Sequence, residues 1–110
     1  MQNVNMIAKA STVTLMKFGH TVVGLTAVQI TTVPRTFTKG IWLRAPGADD
    51  TVSNTHPIYI GWSNVTANYN ASTGGYCLAK GESIFLEIDD PSKLYVVSTA
   101  AAQDLHWMGY

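Results

Sequence analysis

The sequence has one cysteine, Cys77, and two glutamates, Glu82 and Glu87, in 110 residues, and only 13% of its positions are charged. A lone cysteine excludes an internal disulfide and any paired-cysteine metal or redox motif, and Cys77 itself reads as a small buried hydrophobe. Seven basic residues balance seven acidic ones. No basic stripe is left to neutralise phosphates, so nucleic acid is not expected as a ligand, and a membrane surface is disfavoured for the same reason. The longest weakly polar run, Phe18 to Pro34, is broken by His20, Gln29, four threonines and two glycines, and does not reach the roughly 20 apolar residues of a span. Disorder is excluded as the main state, because the chain is 46% hydrophobic and carries about half the ~25% charge of an average domain.

Threonine, valine and isoleucine supply 30 of the 110 residues, which is a β composition. Apolar residues alternate with period two in five runs: Ile41, Leu43 and Ala45; Ile58, Ile60 and Trp62; Ile84, Leu86 and Ile88; Leu94, Val96 and Ser98; and Leu105, Trp107 and Gly109. Each run is the signature of a strand with one face buried. The stretches Thr12–Met16 and Thr21–Val33 add two or three strands, with Gly19 and Gly24 as breaks and Pro34 as a terminator or edge marker. Turn chemistry separates the runs at 46–50, 72–75, 80–81 and 89–92. Seven to nine short strands predict an all-β fold, an antiparallel β-sandwich or small jelly-roll-like barrel over residues 11–110, preceded by an extended N-terminal arm over residues 1–10.

Catalytic signatures are missing. His20, His56 and His106 stand in no metal-ligand spacing, so no metal is expected, and His56 before Pro57 reads as a loop-shaping residue. His106, one step from Leu105 and Trp107, belongs on the outward side of its strand. The pairs Asp49-Asp50 and Asp89-Asp90 lie in turns, where Asp bonds neighbouring backbone, and Gly74-Gly75 lacks the lysine and helix of a phosphate loop. No nucleophile motif surrounds any serine or Cys77, and a small β-barrel hydrolase would need a cleft with a perturbed titratable group that the sequence does not supply. The expectation is a non-enzyme without cofactor.

What remains is contact chemistry. Between Asp50 and Lys80 there is no Asp, Glu, Lys or Arg, and the segment is rich in Ser, Thr, Asn and Gly and holds three tyrosines. Such a segment can meet a partner without desolvating charges. Trp62 and Trp107 fall on inward faces, while Trp42, Tyr59 and Tyr95 fall on outward ones, where an interface centre would use them. Val4, Met6 and Ile7 make the N-terminal segment more apolar than a bare terminus, which suits docking on a neighbour.

From about Lys39 onward the sequence resembles small virion proteins of tailed bacteriophages. The resembling segments are Gly40-Ile41-Trp42-Leu43-Arg44-Ala45, then Pro57 to Thr66, then Tyr76-Cys77-Leu78-Ala79-Lys80-Gly81-Glu82-Ser83, Leu94-Tyr95-Val96-Val97 and the closing Trp107-Met108-Gly109-Tyr110. Gly61-Trp62 departs from a Gly-Gly common at that place, and residues 1–38 lie outside the likeness. The resemblance, to capsid decoration (cement) and head-fibre proteins, implies a β-sandwich on the capsid surface of a virion, made in the host cytoplasm. It further implies the major capsid protein as partner and a homotrimer matching the shell's local threefold points. The contact residues expected on that reading are Val4, Met6, Ile7, Trp42, Tyr59 and Tyr95. The alternative it leaves open is a tail or fibre module that binds a host glycan through Trp42, Tyr59 or Tyr69.

Overall fold

A computed structural model describes residues 16–110. Eight strands form two four-stranded antiparallel sheets. The first sheet orders β1 (Lys17–Val23), β8 (Gln103–Gly109), β3 (Ile41–Arg44) and β6 (Ser83–Leu86) side by side; the second orders β2 (Val28–Gln29), β7 (Tyr95–Ser98), β4 (Ile58–Gly61) and β5 (Tyr76–Leu78). A single 3-10 turn, Pro91–Lys93, is the one helical element among the described residues. The all-β sandwich read from the sequence is therefore present.

Between the sheets lies the main core. Ile41, Leu43, Ile58, Val96 and Leu105 are fully buried, Ile60, Leu94 and Trp107 nearly so, and Leu86 and Ile88 pack against them from the margin. These are the alternating positions of the five runs, and their burial follows from the period-two pleat. In β1 and β8 the alternation is complete: Gly19, Thr21 and Val23 face inward opposite Trp107, Leu105 and Gln103, while Phe18, His20 and Val22 face outward.

Gly19 lies inside β1 and does not break it. A Cβ there would sit 2.7 Å from the Trp107 indole, so glycine is the residue that lets the ring lie flat against the strand. The expected strand over Thr21–Val33 is also revised. β1 stops at Val23, the chain turns through exposed Leu25, and only Val28 and Gln29 pair again, now in the second sheet. β-Branched density marks this stretch as extended-prone, but it is the crossing from one sheet to the other; Ser98 donates its backbone N–H to Gly24 O at 2.8 Å at the crossing. Of the strand expected at Thr12–Met16, residues 12–15 lie outside the described residues, as does the whole arm 1–10, and Met16 precedes the first strand.

Trp62 is 58% exposed, against the expectation that it is core. β4 ends at Gly61, and at Trp62 the chain enters a turn in which Val65 N–H bonds to Trp62 O at 2.9 Å, so the strand's inward parity no longer governs it. The segment 62–75 then folds back over the outer face of the second sheet. There Tyr59, Val65 and Val97 form a smaller apolar cluster with Ala27, Ala67, Cys77 and Tyr95 packed around it. β4 is consequently buried on both sides.

Two buried amides fasten the segment before β4 to β8. Asn54 donates from its Nδ2 to Asp104 O at 2.9 Å and accepts from Asp104 N–H at 2.7 Å, mimicking a strand partner. The Gln103 Oε1 accepts from the N–H groups of Thr55 and His56, and its Nε2 donates to Thr55 Oγ1 and Ala101 O. Both side chains are nearly inaccessible and satisfied, as buried polar groups must be.

Candidate binding face

The outer face of the first sheet is organised by register into transverse rows. Phe18 pairs with Met108, Met108 with Trp42, and Trp42 with Phe85, so four strands each contribute one large apolar side chain to a single row. Phe18 is 77% and Trp42 42% exposed, and the Trp42 and Phe85 rings meet at 5.2 Å between centroids. Sheet pairing, not sequence proximity, assembles this row. Its members lie at positions 18, 42, 85 and 108, on strands whose opposite faces hold the main core.

The adjacent row is polar: His20, His106, Arg44 and Ser83. The His20 and His106 rings stand edge to face, 5.0 Å apart. His20 Nε2 bonds to Asp104 at 2.5 Å, and Arg44 donates from Nη2 to Asp50 Oδ2 at 2.8 Å and from Nη1 to Gly81 O at 3.3 Å. Asp50 also accepts the Gly47 N–H at 2.7 Å; that bond first, and the Arg44 guanidinium second, hold its carboxyl below the usual carboxylate range. A recess of about 470 Å³ opens between this row and the turn that carries Asp50 and Val52. A shallower one of about 380 Å³ runs over Phe18, Trp42 and Met108, and the two share Arg44 and His106. Arg44, the one Lys or Arg in the lining, has Asp50 beside it, and Asp104 adds a second carboxylate, so the recess does not select for an anion. Among the described residues no set of three metal-ligating side chains is gathered to hold an ion. Apolar residues flanked by a compensated polar rim are the composition of a protein contact.

Of the contact residues expected from the sequence, Trp42 lies at the centre of this face. Tyr59 does not: it is on the outer side of the other sheet, 8% exposed beneath the 62–75 segment, where burial first and neighbouring Cys77 second push its phenol pKa up. Tyr95 packs at the margin of the same cluster. Their outward parity was right, but a folded loop takes up the space that a partner would have filled. Val4, Met6 and Ile7 lie outside the described residues. Tyr69 is 77% exposed on the covering segment. Sequence reasoning missed Phe18, Phe85 and Met108. Outward parity at 108 could be inferred from Trp107, yet their alignment with Trp42 depends on a strand order that no local pattern encodes.

The two acidic pairs behave as turn residues. Asp90 accepts from the Ser92 hydroxyl at 2.8 Å and from the Ser92 and Arg35 N–H groups at 2.9 and 3.3 Å, capping the 3-10 turn. The Ser92 hydroxyl and then its N–H hold the Asp90 carboxyl low.

No protein-family model matches the sequence, and no curated protein matches it. Among solved structures, a chain described under "Bacillus endospore appendages form a novel family of disulfide-linked pili" is similar at 14% identity with a TM-score of 0.45, over 86% of this chain and 83% of that one.

Proposed function

We propose that this protein is a structural subunit without catalytic activity, a capsid decoration protein that binds the outside of a phage head as an oligomer and stabilises the shell. The observation that carries the reading is the row Phe18–Met108–Trp42–Phe85, an exposed apolar band across one sheet face with a charge-compensated rim. Solitary soluble domains seldom leave such a band uncovered. The low charged fraction and zero net charge point the same way, because little repulsion keeps copies apart. The virion assignment and the trimer come from the sequence resemblance, and the trimer also offers closed symmetry that avoids fibre growth.

The experiment is a paired measurement of self-association and head binding. The protein is expected to sediment as an oligomer, most simply a trimer, and to raise the melting temperature of decorated heads by mass action. Trp42→Glu and Phe18→Glu place charge in the apolar row without touching the main core; they are expected to give folded protein that no longer associates or binds heads. A wild-type monomer at micromolar concentration that ignores purified heads would overturn the proposal.

A further inference from the structure

The opposite side of the molecule carries a third, differently built depression, of about 280 Å³, where the chain leaves β4 and returns into β5. Its rim is aromatic: Trp62 is 58% and Tyr76 60% exposed. Asn64, Ser72 and Thr73 supply neutral polar groups beside them. The floor is tight backbone. A Cβ at Gly75 would fall 2.5 Å from Val65 Cγ2 and 2.7 Å from Ile60 O, and one at Gly74 would fall 2.0 Å from Asn68 O. A parallel bridge between Thr66 and Gly74, with the Thr66 and Thr73 hydroxyls 3.1 Å apart, closes the segment on itself. The shape is thus set by packing before any ligand arrives, which lowers the cost of binding.

We infer that this depression binds an uncharged sugar ring. A pyranose offers an apolar C–H face and a girdle of hydroxyls, and the site offers aromatic side chains with amide and hydroxyl groups beside them. The segment from Thr51 to Ala79 contains no Asp, Glu, Lys or Arg, so nothing here would recruit a sialic acid or a phosphate. An apolar peptide side chain would leave the neutral polar groups unpaired, at a cost. The inference is independent of the assembly reading, because it uses neither the Phe18–Phe85 row nor any residue of the first sheet.

The test is binding of the intact protein to a printed array of neutral and sialylated oligosaccharides, followed by NMR titration with the best neutral hit. Expected are shifts of the Gly74 and Gly75 amides and the Trp62 indole, affinity independent of salt, and at least a roughly tenfold loss in Trp62→Ala and Tyr76→Ala. Trp62→Phe, which keeps an aromatic face, should retain binding, and Trp42→Ala should match wild type. Circular dichroism and melting of each variant separate a lost site from a lost fold. Retention of no neutral glycan, retention of sialylated ones alone, or binding that survives Trp62→Ala would each overturn the assignment. Shifts at Tyr76–Leu78 with an extended peptide that survive Trp62→Ala would show instead that the β5 edge takes a protein strand. Unchanged oligomeric state across these variants leaves the assembly proposal to its own experiment.

Discussion

At the scale of single residues, this fold depends on groups whose importance is out of proportion to their size. Asn54 is the clearest case, because its amide occupies a backbone donor and a backbone acceptor of Asp104 at once. Truncation in Asn54→Ala leaves both unsatisfied in a closed environment, at about 1–3 kcal/mol for each. Urea unfolding should show that loss, and Asn54→Asp, which keeps the acceptor and lacks the donor, should not restore stability. Gly19 makes a steric demand instead: in Gly19→Ala the new methyl meets Trp107, and overpacking of this kind costs about 1–3 kcal/mol. The same denaturant series, with Trp107 fluorescence as reporter, checks it.

Two carboxylates give the molecule an acid limit. Asp50 and Asp90 are both held below the ordinary range, by the Gly47 N–H and Arg44 in one case and by the Ser92 hydroxyl and N–H in the other. A depressed folded pKa means that the unfolded chain takes up the proton first, so the stabilisation is complete above the ordinary aspartate value of about 4 and is lost as pH falls through the lower folded values. The contribution of these two carboxylates to the melting temperature should therefore be lost only on the acid side of about pH 4. Asp90→Asn should remove part of that dependence while lowering stability at neutral pH.

At the scale of elements, what the sequence discloses depends on whether a segment is governed by its own pleat. Ile41 to Ala45 and Leu105 to Gly109 are buried at alternate positions, and Ile58 and Ile60 belong to the main core while Tyr59 between them belongs to the second cluster, so counting by twos placed their core faces correctly. Counting fails where a strand ends: Trp62 keeps the parity of Ile58 and Ile60 but follows the last paired residue. Tyr59 shows the other limit, since parity says which side of a sheet a residue is on and not what lies over that side. The second apolar cluster exists because 62–75 folds back, and Val65 is its keystone at 6% exposure. Val65→Ala should destabilise by about 1–3 kcal/mol. It should also speed hydrogen exchange at Thr66 and Gly75, whose N–H groups bond to Thr73 O and Thr66 O, more than at the β8 amides. The candidate face was legible in one residue of its apolar row, Trp42, because the row is a property of strand order and register.

For the whole molecule, the decisive asymmetry is that one sheet is covered on both sides and the other on one. The sandwich presents an apolar row on the first sheet and an aromatic-rimmed depression beyond the second, and these sit on opposite flanks of the main core. On the two proposals, a protein partner and a sugar would therefore be engaged without competing for space. The β1–β8 pairing has a further result. Lys17 lies opposite Gly109, so the two ends of the described chain leave from the same end of the same strand pair. A tensile load applied at those two points meets the rungs singly, Lys17–Gly109 first and Val23–Gln103 last, and peels β1 away as a zipper opens. Load applied between Lys17 and Ala102 runs along the strands instead and is shared by every rung. Single-molecule pulling should accordingly rupture the first geometry at lower force than the second, which makes the sandwich soft to traction at Lys17 and Gly109 and stiff to traction along its sheet.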